Sequence, residues 1–219
     1  MKKEVEIGEL TFKKHGDYYS VIGCDKQATK VEIPNTIGDC IVSEIESEAF
    51  ANCTNLVSVK LSDYIMSIGF GAFRNCASLT KITGKNVKYL GGFAFVNCKK
   101  LSSVPLFDNI EEGSFSYCQS LTRLPITDET DKLPDSVFEH CDSLVDITIP
   151  KGVRSIDALA FRSCHGLKRM SFAISDGWWC KSRYHFDDSE IDVSDPIEMA
   201  VYFSRMDFDD GPAEIYRKR

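Results

Sequence analysis

The stretch AFANCTNLVSVKL (residues 49–61) decides the fold, because the chain writes it again and again. AFRNCASLTKIT starts at Ala72 and AFVNCKKLSSVPL at Ala94. Aligned on phenylalanine, the copies sit at Phe50, Phe73, Phe95, Phe115, Phe138 and Phe161, in steps of 23, 22, 20, 23 and 23 residues. Three residues after each phenylalanine stands Cys53, Cys76, Cys98, Cys118, Cys141 or Cys164. Three further stands Leu56, Leu79, Leu101, Leu121, Leu144 or Leu167. Five residues before each phenylalanine stands Ile45, Ile68, Leu90, Ile110, Leu133 or Ile156. The aliphatic position that closes each copy breaks once, at Gly84.

A period near 22 residues lies in the solenoid range of about 20–29. A unit this short cannot close its own core, so stacked copies must bury their equivalent apolar positions against one another. Phe, Cys and Leu are then layers of one interior. Free cysteine suits such a layer as a small hydrophobe with weak hydrogen-bonding demands. The segment from Leu56 to Leu61 alternates and is rich in β-branched residues, which predicts a strand. The equivalent segments ending at Leu106, Ile126, Ile149 and Phe172 read the same way. Laid side by side at about 4.8 Å they form a parallel sheet. The half of each copy around SIGFGAFRNC (67–76) predicts turns and short helical pieces on the opposite side.

These columns resemble the leucine-rich repeat superfamily in its BspA-like (Treponema-type) subclass, marked by Ile-x-x-x-Ala-Phe-x-x-Cys-x-x-Leu-x-x-Val-x-Ile-Pro. VDITIPKGVRSIDALAFRSCHGLKRMSF (145–172) follows that pattern, and the resemblance runs from about Val31 to Phe172. The Asn or Cys signature of the common leucine-rich repeat fails: the corresponding positions are Tyr64, Val87, Asn109, Glu129, Gly152 and Ser175, with asparagine in one rung alone. The resemblance implies an α/β leucine-rich-repeat solenoid, a right-handed superhelix with a parallel sheet face. It also implies a non-enzymatic binding module of a bacterial cell surface or host interface.

The expected organisation is one domain, with an array over residues 1–174 and a C-terminal cap over 175–219. Bare terminal rungs expose their core and need such covers. ELTFKKHGDYYSVIG (9–23) predicts a capping hairpin turning at His15-Gly16, and KVEIP (30–34) an early strand like DITIP. Extra residues around Gly38-Asp39-Cys40 predict a protruding loop, and the short step from Leu106 to Phe115 a pinched rung. Beyond Phe172, Trp178 and Trp179 are large enough to cover the last rung. SDPIEMAVYFSRM (194–206) predicts a helix with Asp195 as N-cap, Pro196 in the first turn and Glu198 completing a capping box.

The chain carries a net charge of −7, and residues 175–219 supply eleven acidic against six basic side chains. An acidic chain without a basic stripe argues against nucleic acid as partner. No stretch approaches the roughly 18 apolar residues of a membrane span. MKKEVEIGEL lacks the apolar run of a secretory signal, which leaves two readings open: a cytoplasmic protein, or an exported one whose leader is missing.

Chemistry is sparse. No Cys-x-x-Cys pair offers zinc ligands, and His140-Cys141 and Cys164-His165 place their cysteines in the buried column. Cys180 and His185 lie outside the columns and offer in principle a nucleophile–base pair. DFDDG (207–211) falls one residue short of a calcium loop, and the glycosylation sequon at Asn52 contains a column cysteine. The expectation is no catalytic residue, no metal and no cofactor. What remains is the outward side of the predicted sheet: Ser58, Lys60, Lys81, Thr83, Ser103, Arg123, Asp146, Thr148, Arg169 and Ser171, with Pro105 and Pro125 in the same rows. This basic, hydroxyl-bearing face on an acidic chain predicts docking of a protein partner by a monomer. An acidic glycan of an adhesion matrix is the alternative, and the thiol pair a third reading.

Overall fold

In the computed structural model neighbouring rungs meet along two interrupted strand lines and one tight turn. Residues 4–157, 159–181, 189–190, 193–204 and 214–217 are described. The expected strand line begins as Lys30–Glu32, Ser58–Lys60 and Lys81–Thr83, all parallel, and reaches Ser103 by a single bridge from Lys81. It resumes as Asp146–Ile149 beside Arg169–Phe172. The strands expected to end at Leu106 and Ile126 do not form. Each contains a proline, Pro105 or Pro125, with no N–H to give to a neighbour. Both prolines are buried rather than outward-facing, so the chain rolls over at these rungs.

The larger sheet lies where turns and helical pieces are expected. Tyr18–Cys24, Cys40–Ile45, Ser67–Ile68, Val87–Leu90 and Phe107–Ile110 run parallel in that order. Lys132–Leu133 and Ser155–Asp157 repeat the arrangement further on. Each strand leads into its Phe through the column residues Ile45, Ile68, Leu90 and Ile110, all buried. The only described helix is Pro196–Ser204, outside the repeats.

After each of these strands the chain turns sharply. The Cys53 N–H donates to the Phe50 carbonyl at 3.1 Å, and Cys76, Cys98, Cys118, Cys141 and Cys164 do likewise with their own rung's Phe. The residue just before the cysteine takes a left-handed backbone: Asn52 at φ 61°, Asn75 at 62°, Asn97 at 63°. Asparagine tolerates that region better than most L-residues, which accounts for the recurring Asn-Cys. The asparagines also join one another, Asn75 Nδ2 to Asn52 Oδ1 at 2.9 Å and Asn97 Nδ2 to Asn75 Oδ1 at 3.0 Å.

Inside, the phenyl rings stack in file with centroids 4.7, 5.2, 5.3, 5.6 and 5.3 Å apart. Each thiol donates to the Phe carbonyl of the rung before: Cys76 to Phe50 and Cys98 to Phe73 at 3.1 Å, Cys118 to Phe95 and Cys141 to Phe115 at 3.2 Å, Cys164 to Phe138 at 3.0 Å. All eight described cysteines are free thiols. Gly84 interrupts the aliphatic column because a Cβ there would stand 2.9 Å from Leu61 Cβ.

The ends are closed by mimicry. Leu10–His15 and Tyr18–Cys24 form the expected hairpin around Gly16 at φ 72°, and Glu4–Ile7 adds an outer strand. The residues around Gly38 close into a small hairpin, Thr36–Ile37 against Cys40–Ile45. In the short rung, Phe107 enters the core between Phe95 and Phe115 directly after Leu106, and the connection between sheets vanishes. At the far end the Asp195 carboxylate caps the helix, accepting from Ile197 N at 2.7 Å and Glu198 N at 3.2 Å. Phe203 of that helix continues the ring stack onto Phe161 at 6.0 Å. The Ser204 carbonyl accepts from Ser163 N at 3.0 Å, where the Arg162 carbonyl accepts from His140 N one rung earlier. Trp178 is buried against Phe172, and Glu214–Arg217 pairs antiparallel with Ser155–Asp157.

Phe95→Ala is expected to lower stability by about 3–5 kcal/mol, since it leaves a phenyl-sized gap in mid-column. Asn75→Ala places alanine in a left-handed backbone at a cost of about 1–2 kcal/mol. Asn75→Gly should cost less, because glycine adopts that backbone freely. Urea unfolding midpoints of the three variants check the order.

Candidate binding face

The first three strands of the shorter sheet present Lys30 and Glu32, Ser58 and Lys60, and Lys81 and Thr83 in matched register. Val31, Val59 and Ile82 point inward between them and fix the alternation. These outward residues surround a shallow open depression of about 340 Å³, floored by the strand backbone at Val31 and Val59, whose side chains face the core. Lys60 Nζ lies 2.6 Å from Glu32 Oε1, and that hydrogen bond raises the Lys60 pKa. Lys81 is exposed on the outer strand of the three and has no ion-pair partner among the described residues. Lys30 and Glu32 are missing from the face as read in sequence. Aligning KVEIP on DITIP puts them in the same two rows.

The remaining expected residues do not form one continuous surface. Ser103 touches the patch through its bridge to Lys81, and Arg123 is exposed on a rung that makes no strand here. Asp146 and Arg169 are register partners on the later strands and pair with each other at 3.5 Å, beside Thr148 and Ser171. The basic face is therefore split by the proline rungs, and part of its charge is neutralised internally.

The column thiols offer little chemistry. Burial raises the pKa of Cys98, Cys118 and Cys141, and holds Cys164 at about 12. Cys53, which has no preceding phenylalanine carbonyl, differs. The hydrogen bond from Cys24 lowers its pKa, and against burial the Lys26 ammonium at 3.7 Å helps bring it to about 7. A serine, histidine and carboxylate do meet at the N-terminal hairpin, a cluster that no sequence motif announces. His15 Nε2 lies 2.9 Å from Ser20 Oγ and 3.0 Å from Glu46 Oε1, and Ser20 Oγ donates to Glu46 at 2.7 Å. Both partners use one imidazole nitrogen and the serine proton goes to the carboxylate, so the base–orienter relay of a hydrolase is not built. His185 and the DFDDG segment lie outside the described residues, as does the Cys180 side chain. Among the described residues no helix is long and apolar enough to cross a membrane.

The BspA type leucine rich repeat region matches residues 20–112 and 106–177, in six copies. The chain belongs to the BspA-type leucine-rich repeat family. Three solved structures show the same fold. A leucine rich cell surface protein from Faecalibacterium prausnitzii is 24% identical with a TM-score of 0.67, over 84% of this chain and 60% of that one. A Treponema pallidum leucine rich repeat protein is 23% identical with a TM-score of 0.63, over 77% of this chain and 82% of that one. A leucine-rich repeat protein from Eubacterium ventriosum is 22% identical with a TM-score of 0.65, over 78% and 46%. The chain thus spans 60% of the length of the Faecalibacterium protein. No curated protein matches. Leucine-rich repeat proteins are generally non-enzymatic, and membership in this BspA-type family points to an interaction module.

Glu46 ties the hairpin to the first rung. Burial raises its pKa, but hydrogen bonds from Ser20 and His15 and the nearby Lys13 ammonium more than offset this, and the net shift is downward. A carboxylate with a depressed folded pKa stabilises above its unfolded value and loses that contribution as pH falls. Glu46→Gln should therefore destabilise the protein at neutral pH. The gap between variant and parent should close below the ordinary glutamate pKa of about 4.3. Thermal melts across that range check it.

Proposed function

We propose that this chain is a binding module that docks an acidic segment of a protein partner on the outward side of its short sheet, with Lys81 as the free cation that meets it. The observation that carries this reading is the depression ringed by Lys30, Glu32, Ser58, Lys60, Lys81 and Thr83. Its rim carries three lysines and the hydroxyls of Ser58 and Thr83, with Glu32 engaged by Lys60, and it lies on a chain of net charge −7. An unpaired lysine on a paired strand is ready for a carboxylate, because its backbone is already fixed and no internal ion pair has to break. Arg123 and Arg169 extend the positive character along the rungs; Arg169 contributes less, being engaged by Asp146.

The setting we propose is a bacterial surface or host interface. The family assignment and the Faecalibacterium protein described as a cell surface protein support it. A second reading, an acidic glycan as partner, draws on the hydroxyls of Ser58, Thr83, Thr148 and Ser171 beside the same cations. The two differ in salt response. Glycan binding by charge alone should weaken steeply with ionic strength, whereas a protein partner that also packs on the aliphatic stems of the lysines should retain part of its affinity.

Reversal of Lys60, Lys81, Arg123 and Arg169 to glutamate should leave folding intact, since exposed ion pairs contribute only about 0–1 kcal/mol each. Partner capture by the immobilised protein should be lost. Lys81→Glu alone should weaken capture more than Arg169→Glu alone. Capture unaffected by the quadruple reversal would rule this face out.

A further inference from the structure

We propose that His140, Asp142 and His165 form a binding site for a divalent transition metal of the zinc class. The site follows from the column geometry. Cys141 and Cys164 turn their thiols inward to the Phe115 and Phe138 carbonyls. The residues flanking them are thereby held on the outer edge of the turns. His140 and Asp142 bracket Cys141, and His165 follows Cys164, so successive rungs bring all three to one place.

One nitrogen or oxygen from each residue lies within 4.8 Å of the other two. His165 Nδ1 and Asp142 Oδ1 are already 3.1 Å apart. Metal–ligand bonds of about 2.0–2.2 Å in tetrahedral geometry separate ligand atoms by about 3.4 Å. That pair therefore needs little adjustment, and rotation of the half-buried His140 ring closes the triangle. The surroundings orient the ligands. Tyr117 stacks on His140 with centroids 4.5 Å apart, and Gln119 Nε2 donates to the second carboxylate oxygen of Asp142 at 3.2 Å. Such outer partners fix ring and carboxylate orientation in metal sites.

Ligand type sets the metal class. Two imidazoles and one carboxylate favour zinc and its neighbours over calcium or magnesium, which demand oxygen cages. Three protein ligands leave a fourth position to water. Because His140 and Asp142 belong to one rung and His165 to the next, a bound ion would staple the last two repeats on their exposed edge.

Zinc chloride titrated into the full chain by calorimetry should show one equivalent bound and raise the melting temperature. Magnesium chloride should do neither. His140→Asn and His165→Gln should each abolish the equivalent. The first places there the residue that holds the same left-handed position in three other rungs, so the fold is kept. Cys180→Ser with His185→Ala should leave binding unchanged. Cobalt loaded in place of zinc should give visible d–d bands without a thiolate charge-transfer band. No zinc binding by the parent chain, binding that survives both histidine variants, or a cobalt spectrum showing thiolate ligation would overturn the proposal.

Discussion

A phenylalanine carbonyl buried between rungs has two lone pairs, and this fold depends on filling both. In Phe73 one accepts the Cys76 N–H of the same turn at 3.2 Å, and the other accepts the Cys98 thiol of the next rung at 3.1 Å. The first bond shapes the turn; the second joins it to its neighbour. An unpaired carbonyl at such a site would cost about 1–3 kcal/mol, and the interior holds five such carbonyls, from Phe50 to Phe138. Cysteine is the side chain that is apolar enough for the column and still carries a donor. Leucine would fill the space without a proton to give, and serine would bring a hydroxyl with acceptor lone pairs that the apolar layer leaves without donors.

The ends replace this bond with others. The first rung has no preceding carbonyl for Cys53, and its sulfur instead accepts from Lys26 Nζ at 3.7 Å and from the Cys24 thiol. The last rung has no successor, and the helix supplies Phe203 as the next ring and Ser204 as the next carbonyl. An α-helix can stand in for a rung here because its final carbonyls lack intrahelical partners and are free to accept. Capping is thus continuation of the column chemistry by other secondary structure, more than a lid over apolar surface.

What was legible in the sequence follows from what the columns constrain. Phe, Cys and Leu recur at fixed spacing because each must meet its copy in the next rung, so the solenoid could be read from three letters. The larger sheet could not. Val87-Lys88-Tyr89-Leu90 buries its first and last residues, three apart, and exposes the two between, so it never shows the alternation that marks a half-buried strand. The strand line at Pro105 and Pro125 failed for a local reason, a missing N–H, that apolar spacing does not register. Lys30 and Glu32 were overlooked because their rung lacks the full repeat, although its strand keeps the register.

Function is hardest to read where the columns impose least. The position before each cysteine must accept a left-handed backbone, and its side chain looks outward. Asparagine satisfies it in the first three rungs, while Tyr117, His140 and Ser163 satisfy it in the last three. The position after each cysteine drifts from Thr54, Ala77 and Lys99 to Gln119, Asp142 and His165. The array therefore changes from a neutral amide ladder to a cluster of titratable groups along one edge, with the interior unaltered. A stacked fold permits this because each outward residue touches only its equivalents one rung away, so an edge can acquire chemistry one rung at a time without disturbing the carbonyl–thiol bonds beneath.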